Sequence, residues 1–577
     1  MKVLLVHPED DLPSGSCGDL IVDLGRAPAA TYERWSRQSG SIVTGIYDSA
    51  DGVADLHLCR KLLASGMGCL LDEHGIDWWD VLSLRLVPDL QQLILFDRLL
   101  RSINSPVQIY ATRPLRIAKF FPKGSNPKIS FSAEPFGFSR RGRNLWRTFR
   151  SLDHVQVAQI VQDKFDRNHA IRRMISRKQR RSSHSSILLP SAYVNVTRMA
   201  VRYAELLPTE NFLLVSARRS GQLKSLPTNV AGVSLDAYFE SPNVPDTQMI
   251  HEWGRLRKRL VQSDPIFARA QDCGILEHVE SDLQWSLRIR DAWINVLDRE
   301  NVAACFCADD TNPYTRIALL VTKARGLPTV ACHHGALDYY AALKNPAADY
   351  YLAKTELERN YLINRSGISR EKVLLGGPGS SFACRERDLQ KRNWIVWFTE
   401  GYGATGWRSQ EVYQDLLPQL YSLAQSCGLK LVLKLHPFDS VRDHRHKLRN
   451  ILKNQAGNVD IIDGPANTDL WENTRFALTA ESSVALECAA RKIPIFLCTW
   501  LQDCYSGYAE QYAKFGVGIP LRSSEQVSDI PRLLALDSVR YAPNDESIAP
   551  QVFKSLFTGP QIRESVLNEQ TFAGCAI

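Results

Sequence analysis

Leu429-Lys430-Leu431-Val432-Leu433-Lys434-Leu435-His436-Pro437 and Ala477-Leu478-Thr479-Ala480-Glu481-Ser482-Ser483-Val484-Ala485-Leu486-Glu487 are the stretches whose reading decides the fold. Each opens as a short apolar run bounded by polar residues, the pattern of a buried strand. The first stops on His436, where Pro437 forces the chain to turn. The second passes through a polar turn into a helical pattern. Laid side by side in a parallel sheet, both polar turns fall at carboxyl ends of strands, where open α/β sheets bind ligands. Two small hydroxyls ahead of a helix, with an imidazole nearby, suit an anion. The plainer readings are an ordinary N-cap for Ser482 and Ser483 and a structural histidine at position 436. A third strand, Trp394–Phe398, runs into Thr399-Glu400-Gly401-Tyr402-Gly403-Ala404-Thr405-Gly406, a glycine-rich strand end. The three together favour a grip on nucleotide phosphate.

Working outward, strand and helix signals alternate along nearly the whole chain, which implies an α/β class with parallel sheets. With 577 residues, the chain exceeds one ordinary core. The expected architecture is two Rossmann-like domains facing a cleft. An N-terminal Rossmann-like domain with helical insertions is expected over 1–375 and a linker over 376–393, with Gly376–Ser381 as hinge. The nucleotide-binding domain is expected over 394–540, and a tail over 541–577 that crosses back to the first domain. Expected strands include Val3–Val6, Leu20–Leu24, Val302–Cys307, Thr329–Cys332 and Tyr350–Ala353.

Hydrophobic content of 44% and charged content of 23% are those of a globular protein. A net charge of +8 is mild for this length and, with no basic stripe or known motif, argues against nucleic-acid binding. It is compatible with anionic substrates or a negatively charged membrane surface. The basic run from Arg167 to Arg181 reads as a solvated helix end or as a docking segment for a polyanion. Thirteen cysteines, none in a Cys-x-x-Cys pair, imply reduced thiols and a cytoplasmic setting. The apolar run after Met1 is short and reads as a first strand, and no stretch approaches the length of a membrane helix.

Chemistry needs further groups. Asp72 and Glu73 lie in an acidic turn with a glycine, for which a solvated turn is the plainer reading. Asp309 and Asp310, at the end of the apolar run Val302–Cys307, are rivals as base or nucleophile; helix capping ahead of Pro313 is their plainer reading. Arg218 and Arg219 suit an anionic acceptor through bidentate pairing. His333 and His334 end a strand ahead of Gly335; as a metal pair they lack a carboxylate or further histidine at ligand spacing in the sequence, so no metal is expected.

The pair Lys434-Leu435-His436-Pro437 and Glu481-Ser482-Ser483 resembles the His-Pro and Ser-Ser motifs of bacterial sialyltransferases, polysialyltransferases and Kdo transferases. These are GT-B-fold enzymes that use CMP-activated sugars. The CDP-glycerol glycerophosphotransferases of teichoic acid synthesis carry a similar pair. Gly326-Leu327-Pro328 followed by His334-Gly335-Ala336 also resembles a passage of surface-polysaccharide enzymes, with His333 in place of the usual Gln. The resemblance spans about Val302 to Cys498. It implies donor contacts from Lys434, His436, Pro437, Ser482 and Ser483 at the phosphate. Glu400, Gly401, Gly403 and Glu481 would lie near the ribose or base, with His334 and Gly335 beside the donor. His436 would act at the departing phosphate. Asp72-Glu73-His74-Gly75 is similar to the acidic motif of the inverting members, with His74 inserted before the glycine, and on that likeness Asp72 or Glu73 would be the catalytic base, in rivalry with Asp309 and Asp310.

The expected function is therefore transfer of a sugar from a nucleotide donor, CMP-Kdo or CMP-sialic acid foremost, to a glycan or lipid-linked glycan acceptor. No cofactor or metal is expected, nor a nucleic-acid partner; peripheral contact with the inner membrane face is compatible with the charge. A CDP-glycerol-type phosphotransferase, a sugar-nucleotide 2-epimerase and a non-catalytic polysaccharide scaffold are the alternatives.

Overall fold

The structure is a computed structural model that describes residues 1–6, 12, 18–25, 27, 29–48, 58, 61–102, 108–111, 131–132, 185–218, 223, 225–240, 246–335, 346–378, 391–400, 411–436, 439–502, 508–536 and 547–558. The basic run Arg167–Arg181, Arg219, Gly401, Gly403, Pro437 and Gly379–Ser381 lie outside the described residues.

The class is α/β, as expected, and its strands form three parallel sheets. The first holds β1 (Lys2–Val6), β2 (Leu20–Asp23), β3 (Ile42–Gly45), β4 (Gln108–Ala111) and β5 (Phe131–Ser132), in the order β3-β2-β1-β4-β5. The second holds β6 (Ser186–Ser191), β7 (Phe212–Ser216), β8 (Val230–Ser234), β9 (Val302–Cys307), β10 (Thr329–Cys332), β11 (Tyr350–Ala353) and β12 (Val373–Leu375), in the order β12-β11-β10-β9-β6-β7-β8. The third holds β13 (Trp394–Phe398), β14 (Lys430–Lys434), β15 (Val459–Ile462), β16 (Thr474–Thr479), β17 (Ile495–Cys498) and β18 (Ile519–Leu521), in the order β15-β14-β13-β16-β17-β18. Residues 1–375 thus carry two sheets rather than one layer, because β1–β5 pair only among themselves.

In each sheet the chain lays strands outward in one direction and then returns to the other side of its first strand. The reversal falls between β1 and β4, between β6 and β9, and between β13 and β16. Such reversals leave a crevice at the carboxyl ends of the two central strands.

The described chain divides into two compact units, each built from separated segments. One comprises Met1–Asp55, Gln91–Ile160 and Ser381–Asn544; the other comprises Leu56–Leu90, Val161–Ser380 and Asp545–Ile577. In the first unit, helix Ala29–Ser39 joins the five-stranded sheet to the six-stranded one. Its Ala30 enters the core of Trp397, Leu416, Leu433 and Leu478. Arg34 pairs with the buried Glu411 at 2.7 Å, and Thr31 donates to the same carboxylate at 2.8 Å. In the second unit, the C-terminal segment returns to the seven-stranded sheet. Phe553 packs on Tyr203 and Phe306, with ring centroids 5.4 and 5.3 Å away. Ile548 closes on Gly376, whose φ of +155° and lack of a side chain admit it; a Cβ there would sit 2.6 Å from that of Ile548. Ile548 N–H also donates to the Gly377 carbonyl, and Tyr203 Oη donates to the Gly376 carbonyl, so these residues of the expected hinge are fastened within their own unit.

Central strands such as β9 are buried along most of their length and read as continuous apolar runs, which is why they were legible. Strand β8 has an exposed middle, Ala231 and Gly232, and β18 carries Pro520; both are edge strands that sequence pattern does not mark. Among the described residues no helix is long and apolar enough to cross a membrane.

Asp23 closes β2 by accepting the Gly25 and Ala27 N–H groups at 2.9 and 2.7 Å. Burial, with Asp48 adding to it, pushes its carboxyl from 3.8 up to about 6 against these bonds. The folded chain holds the extra proton between those values, so stability falls as pH rises through them and is lowest above 6. Asp23→Asn keeps an acceptor oxygen without the charge. It also sets an amide NH2 against one of the two N–H donors, so the substitution should cost most stability near pH 4 and least above pH 6, where the parent has lost the contribution of its extra proton, as read by urea denaturation across that range.

Candidate functional site

At the carboxyl edge of the six-stranded sheet, β14, β13 and β16 lie side by side, and the loops after them hold most of the expected donor residues. Thr399 and Glu400 follow β13. The Thr399 N–H donates to the Lys434 carbonyl at 3.0 Å, extending the β13–β14 ladder by one step. The Thr399 hydroxyl accepts the His436 N–H at 2.8 Å and donates to Asp439 Oδ2 at 2.5 Å. Glu400 reaches the other way, across the reversal point. Its Oε1 accepts the Thr479 hydroxyl at 3.0 Å, the Ala480 N–H at 3.1 Å and the Glu481 N–H at 2.6 Å. One strand end therefore ties the histidine loop to the Ser-Ser loop.

The Ser-Ser turn differs from an open anion cradle. Helix Val484–Ala490 has only seven residues. The Val484 N–H is taken by Ser482 Oγ at 3.3 Å, and the Ala485 and Leu486 N–H groups by the Ser482 and Ser483 carbonyls. Expected free first-turn donors are thus satisfied locally. What the turn offers a ligand is hydroxyls, with that of Ser483 making no cap bond. Lys434 is also committed: its buried ammonium donates to the Leu435 and Gly464 carbonyls at 2.8 and 2.6 Å. It acts here as a brace for the strand end. Burial lowers the His436 imidazole below its usual 6.5; Asp439 opposes that and Lys434 adds to it. A neutral imidazole that donates one N–H is the form this favours.

Behind His436 stands a network that residue pattern alone does not mark. Asp439 is buried, lies 3.3 Å from His444 Nε2, and His444 Nδ1 in turn contacts the Tyr413 hydroxyl. Asp439 and His444 are near neighbours in sequence, but Tyr413 lies 31 positions before His444, and helix Val441–Leu452 packing under the sheet brings it to them.

The second unit has its own cluster at the reversal between β6 and β9. Asp309 is fully buried just past β9. Its Oδ1 accepts the Thr311 N–H at 3.0 Å and the Thr311 hydroxyl at 2.5 Å, and its Oδ2 accepts the Tyr193 hydroxyl at 2.6 Å. His334 Nδ1 lies 3.3 Å from Oδ2 and His333 Nδ1 lies 3.8 Å from Oδ1. Burial alone would push this carboxyl up; the imidazoles of His334 and His333, with Thr311, hold it well below the usual carboxylate range. The expectation that the histidines lack a carboxylate is corrected here, because β9 and β10 are paired neighbours and their ends meet. Tyr193, on the loop after β6, is a member that the sequence reading missed; burial and the Asp309 charge keep its phenol protonated.

The remaining candidates separate by environment. Asp310 is buried on the Tyr351 hydroxyl at 2.9 Å and 3.8 Å from Arg316, whose guanidinium also pairs with Asp80. Asp72 is likewise enclosed, accepting from Arg290 at 2.9 Å, Trp78 Nε1 at 3.0 Å and the His74 and Ile76 N–H groups at 2.9 Å. Burial opposes its ionisation, but Arg290 and these donors hold its carboxyl below the usual range. Glu73 is out in solvent beside His74. Arg218 lies over the Tyr314 ring at 4.9 Å, and Gly335 accepts from Lys354 at 3.4 Å. Lys434, His436, Glu400, Glu481, Ser482 and Ser483 thus share one unit, while Asp72, Glu73, Arg218, Asp309, Asp310, His334 and Gly335 belong to the other.

No protein-family model matches the chain, and no curated protein matches it. Among solved structures it is similar to S. aureus MnaA in complex with UDP, at 12% identity and a TM-score of 0.39 over 68% of this chain and 98% of that one. It is similar to a Rickettsia africae glycosyltransferase, at 11% identity and a TM-score of 0.36 over 69% and 100%. The wall teichoic acid polymerase TagF gives 11% identity and a TM-score of 0.36 over 76% and 100%. At these values the likeness assigns no activity to this chain.

Glu400→Ala leaves the Ala480 and Glu481 N–H groups without their acceptor in a buried position. It should lower stability by about 3 kcal/mol, and Glu400→Gln by less than half of that, measured by chemical denaturation.

Proposed function

We propose that this chain is a sugar-nucleotide enzyme of the GT-B type, a glycosyltransferase that moves a sugar from a nucleotide donor to a surface-glycan acceptor. The observation that carries the reading is the convergence of His436, Glu400 and Ser482–Ser483 at adjacent strand ends of the six-stranded sheet, at its reversal point. That is where an open parallel sheet takes a nucleotide. The donor phosphate would receive the His436 imidazole N–H and the serine hydroxyls. These groups stabilise the charge that grows on phosphate as the nucleotide leaves, held in place beforehand by Thr399, Asp439 and Glu400. Their fixed placement is what makes such donors effective, since no reorganisation is needed as the bond breaks.

Of the carboxylates expected for the chemistry, this reading keeps Asp309. Asp72 and Asp310 are consumed by Arg290 and Arg316, and Glu73 is solvated. Asp309 is ionised, oriented by Tyr193 and Thr311, and has imidazoles beside it. A CMP-linked donor is the specific form of the proposal, on the resemblance of the His-Pro and Ser-Ser motifs.

Thermal-shift titration with CMP, CDP, UDP and GDP tests the nucleotide site. A cytidine nucleotide should raise Tm, by the equivalent of about 2.7 kcal/mol at a hundredfold excess over Kd. No shift with any of the four would overturn the reading, and a shift with UDP alone would overturn the CMP assignment. His436→Ala should cut donor turnover by about a hundredfold or more while Tm without ligand stays within a few degrees. Conversion of free nucleotide sugar at C2 without acceptor would replace the transferase reading with an epimerase.

A further inference from the structure

We infer that Asp309, His333 and His334 form a binding site for one divalent first-row transition metal ion of the Zn²⁺ type. The inference deepens the Asp309 half of the function proposed above and is independent of its nucleotide half, which rests on the other unit.

The three side chains each offer one ligand atom, and these atoms lie within 4.8 Å of one another. Two imidazole nitrogens and one carboxylate oxygen suit Zn²⁺, Co²⁺ or Ni²⁺ and not the oxygen-seeking Mg²⁺ or Ca²⁺. Bond lengths of about 2.0–2.2 Å at a tetrahedral ion place two ligands about 3.4 Å apart. His334 Nδ1 and Asp309 Oδ2 are already at 3.3 Å; His333 Nδ1 lies 3.8 Å from the other carboxylate oxygen, and the three ligand atoms, all within 4.8 Å of one another, come to that spacing by side-chain adjustment.

The local chemistry favours a cation over a plain hydrogen-bonded dyad. Asp309 already accepts three bonds from Thr311 and Tyr193, which leaves little room for two imidazole donors as well. His334 Nδ1 is close to the carboxylate yet not aligned on it as a hydrogen bond, although the atom is buried. Both histidines present the same ring nitrogen to one carboxylate. They can do so because they lie past the end of β10, where the alternation of a strand no longer sends neighbours to opposite faces. The Tyr193 and Thr311 hydroxyls then serve as the outer partners that orient a ligating carboxylate. Three protein ligands leave a position for water or substrate, the pattern of a reactive site rather than a structural one.

The test uses the full chain, stripped with chelator and titrated with Co²⁺, Zn²⁺ and Mg²⁺. One Co²⁺ per chain should bind with visible absorption of tetrahedral or five-coordinate character, be displaced by Zn²⁺, and be indifferent to Mg²⁺. His334→Ala and Asp309→Asn should each weaken Co²⁺ by more than about a hundredfold, and Tyr193→Phe by about ten- to a hundredfold, the scale of an outer partner. His334→Gln, with a Tm in chelator equal to that of the parent, guards against a folding artefact. Failure of the parent to bind Co²⁺, or equal affinity in His334→Ala or His334→Gln, overturns the site. Nucleotide thermal shifts on the same samples fail or succeed separately, so each reading falls alone.

Discussion

A buried carboxylate at the point where strand order reverses is the constraint on which both halves of this protein depend. A parallel sheet that reverses leaves two central strands whose following loops diverge, and the N–H groups at those ends need partners. In the six-stranded sheet Glu400 supplies them, binding the end of β13 to that of β16. In the seven-stranded sheet Asp309 does the equivalent work with side chains, gathering Tyr193 after β6, Thr311 after β9 and the histidines after β10. Each carboxylate is stabilising only because it is surrounded by donors; the same charge without them would be expelled or protonated.

The rest of the charge economy follows the same rule. Buried Arg316 is neutralised by Asp80 and Asp310, Arg290 by Asp72 and Asp291, and Glu411 by Arg34. Three of these pairs join distant segments: Arg316 and Asp80 across 236 positions, Arg290 and Asp72 across 218, and Arg34 and Glu411 across 377. They add less stability than their Coulomb attraction suggests, since both partners were taken out of water. Their effect is specificity: leaving either partner alone is the costly state. A carboxylate with a guanidinium saturating it has no capacity left for chemistry. Asp309 differs because its neighbours are imidazoles and hydroxyls, which can exchange partners.

The carboxyl edge of the six-stranded sheet shows the same distinction on a finer scale. Lys434 and the first-turn N–H groups after Ser483 look like phosphate ligands in sequence, yet the fold spends them on carbonyls and on Ser482. The backbone N–H of His436 is held on the Thr399 hydroxyl, which fixes the strand end that carries the imidazole.

What the sequence by itself determined was local. Continuous apolar runs bounded by polar turns marked the central strands, so Val302–Cys307, Thr329–Cys332, Tyr350–Ala353 and Trp394–Phe398 were legible to the residue. The alternation with helical patterns determined the α/β class, and strand-end polar residues pointed to Asp309, Glu400, His436 and Ser482. Edge strands, the separation of the first sheet from the second and the interleaved units were not legible, because pairing partners and edge exposure are not written in periodicity. Only the tertiary structure decided which polar residues are spent and which are available. Asp72 and Asp309 look alike in sequence; one meets Arg290 and the other meets His333, His334 and Tyr193. The reason is physical. A side chain's protonation and hydrogen-bonding capacity are set by neighbours within a few ångströms, and in a parallel sheet those neighbours arrive from adjacent strands, each separated in sequence by a whole crossover.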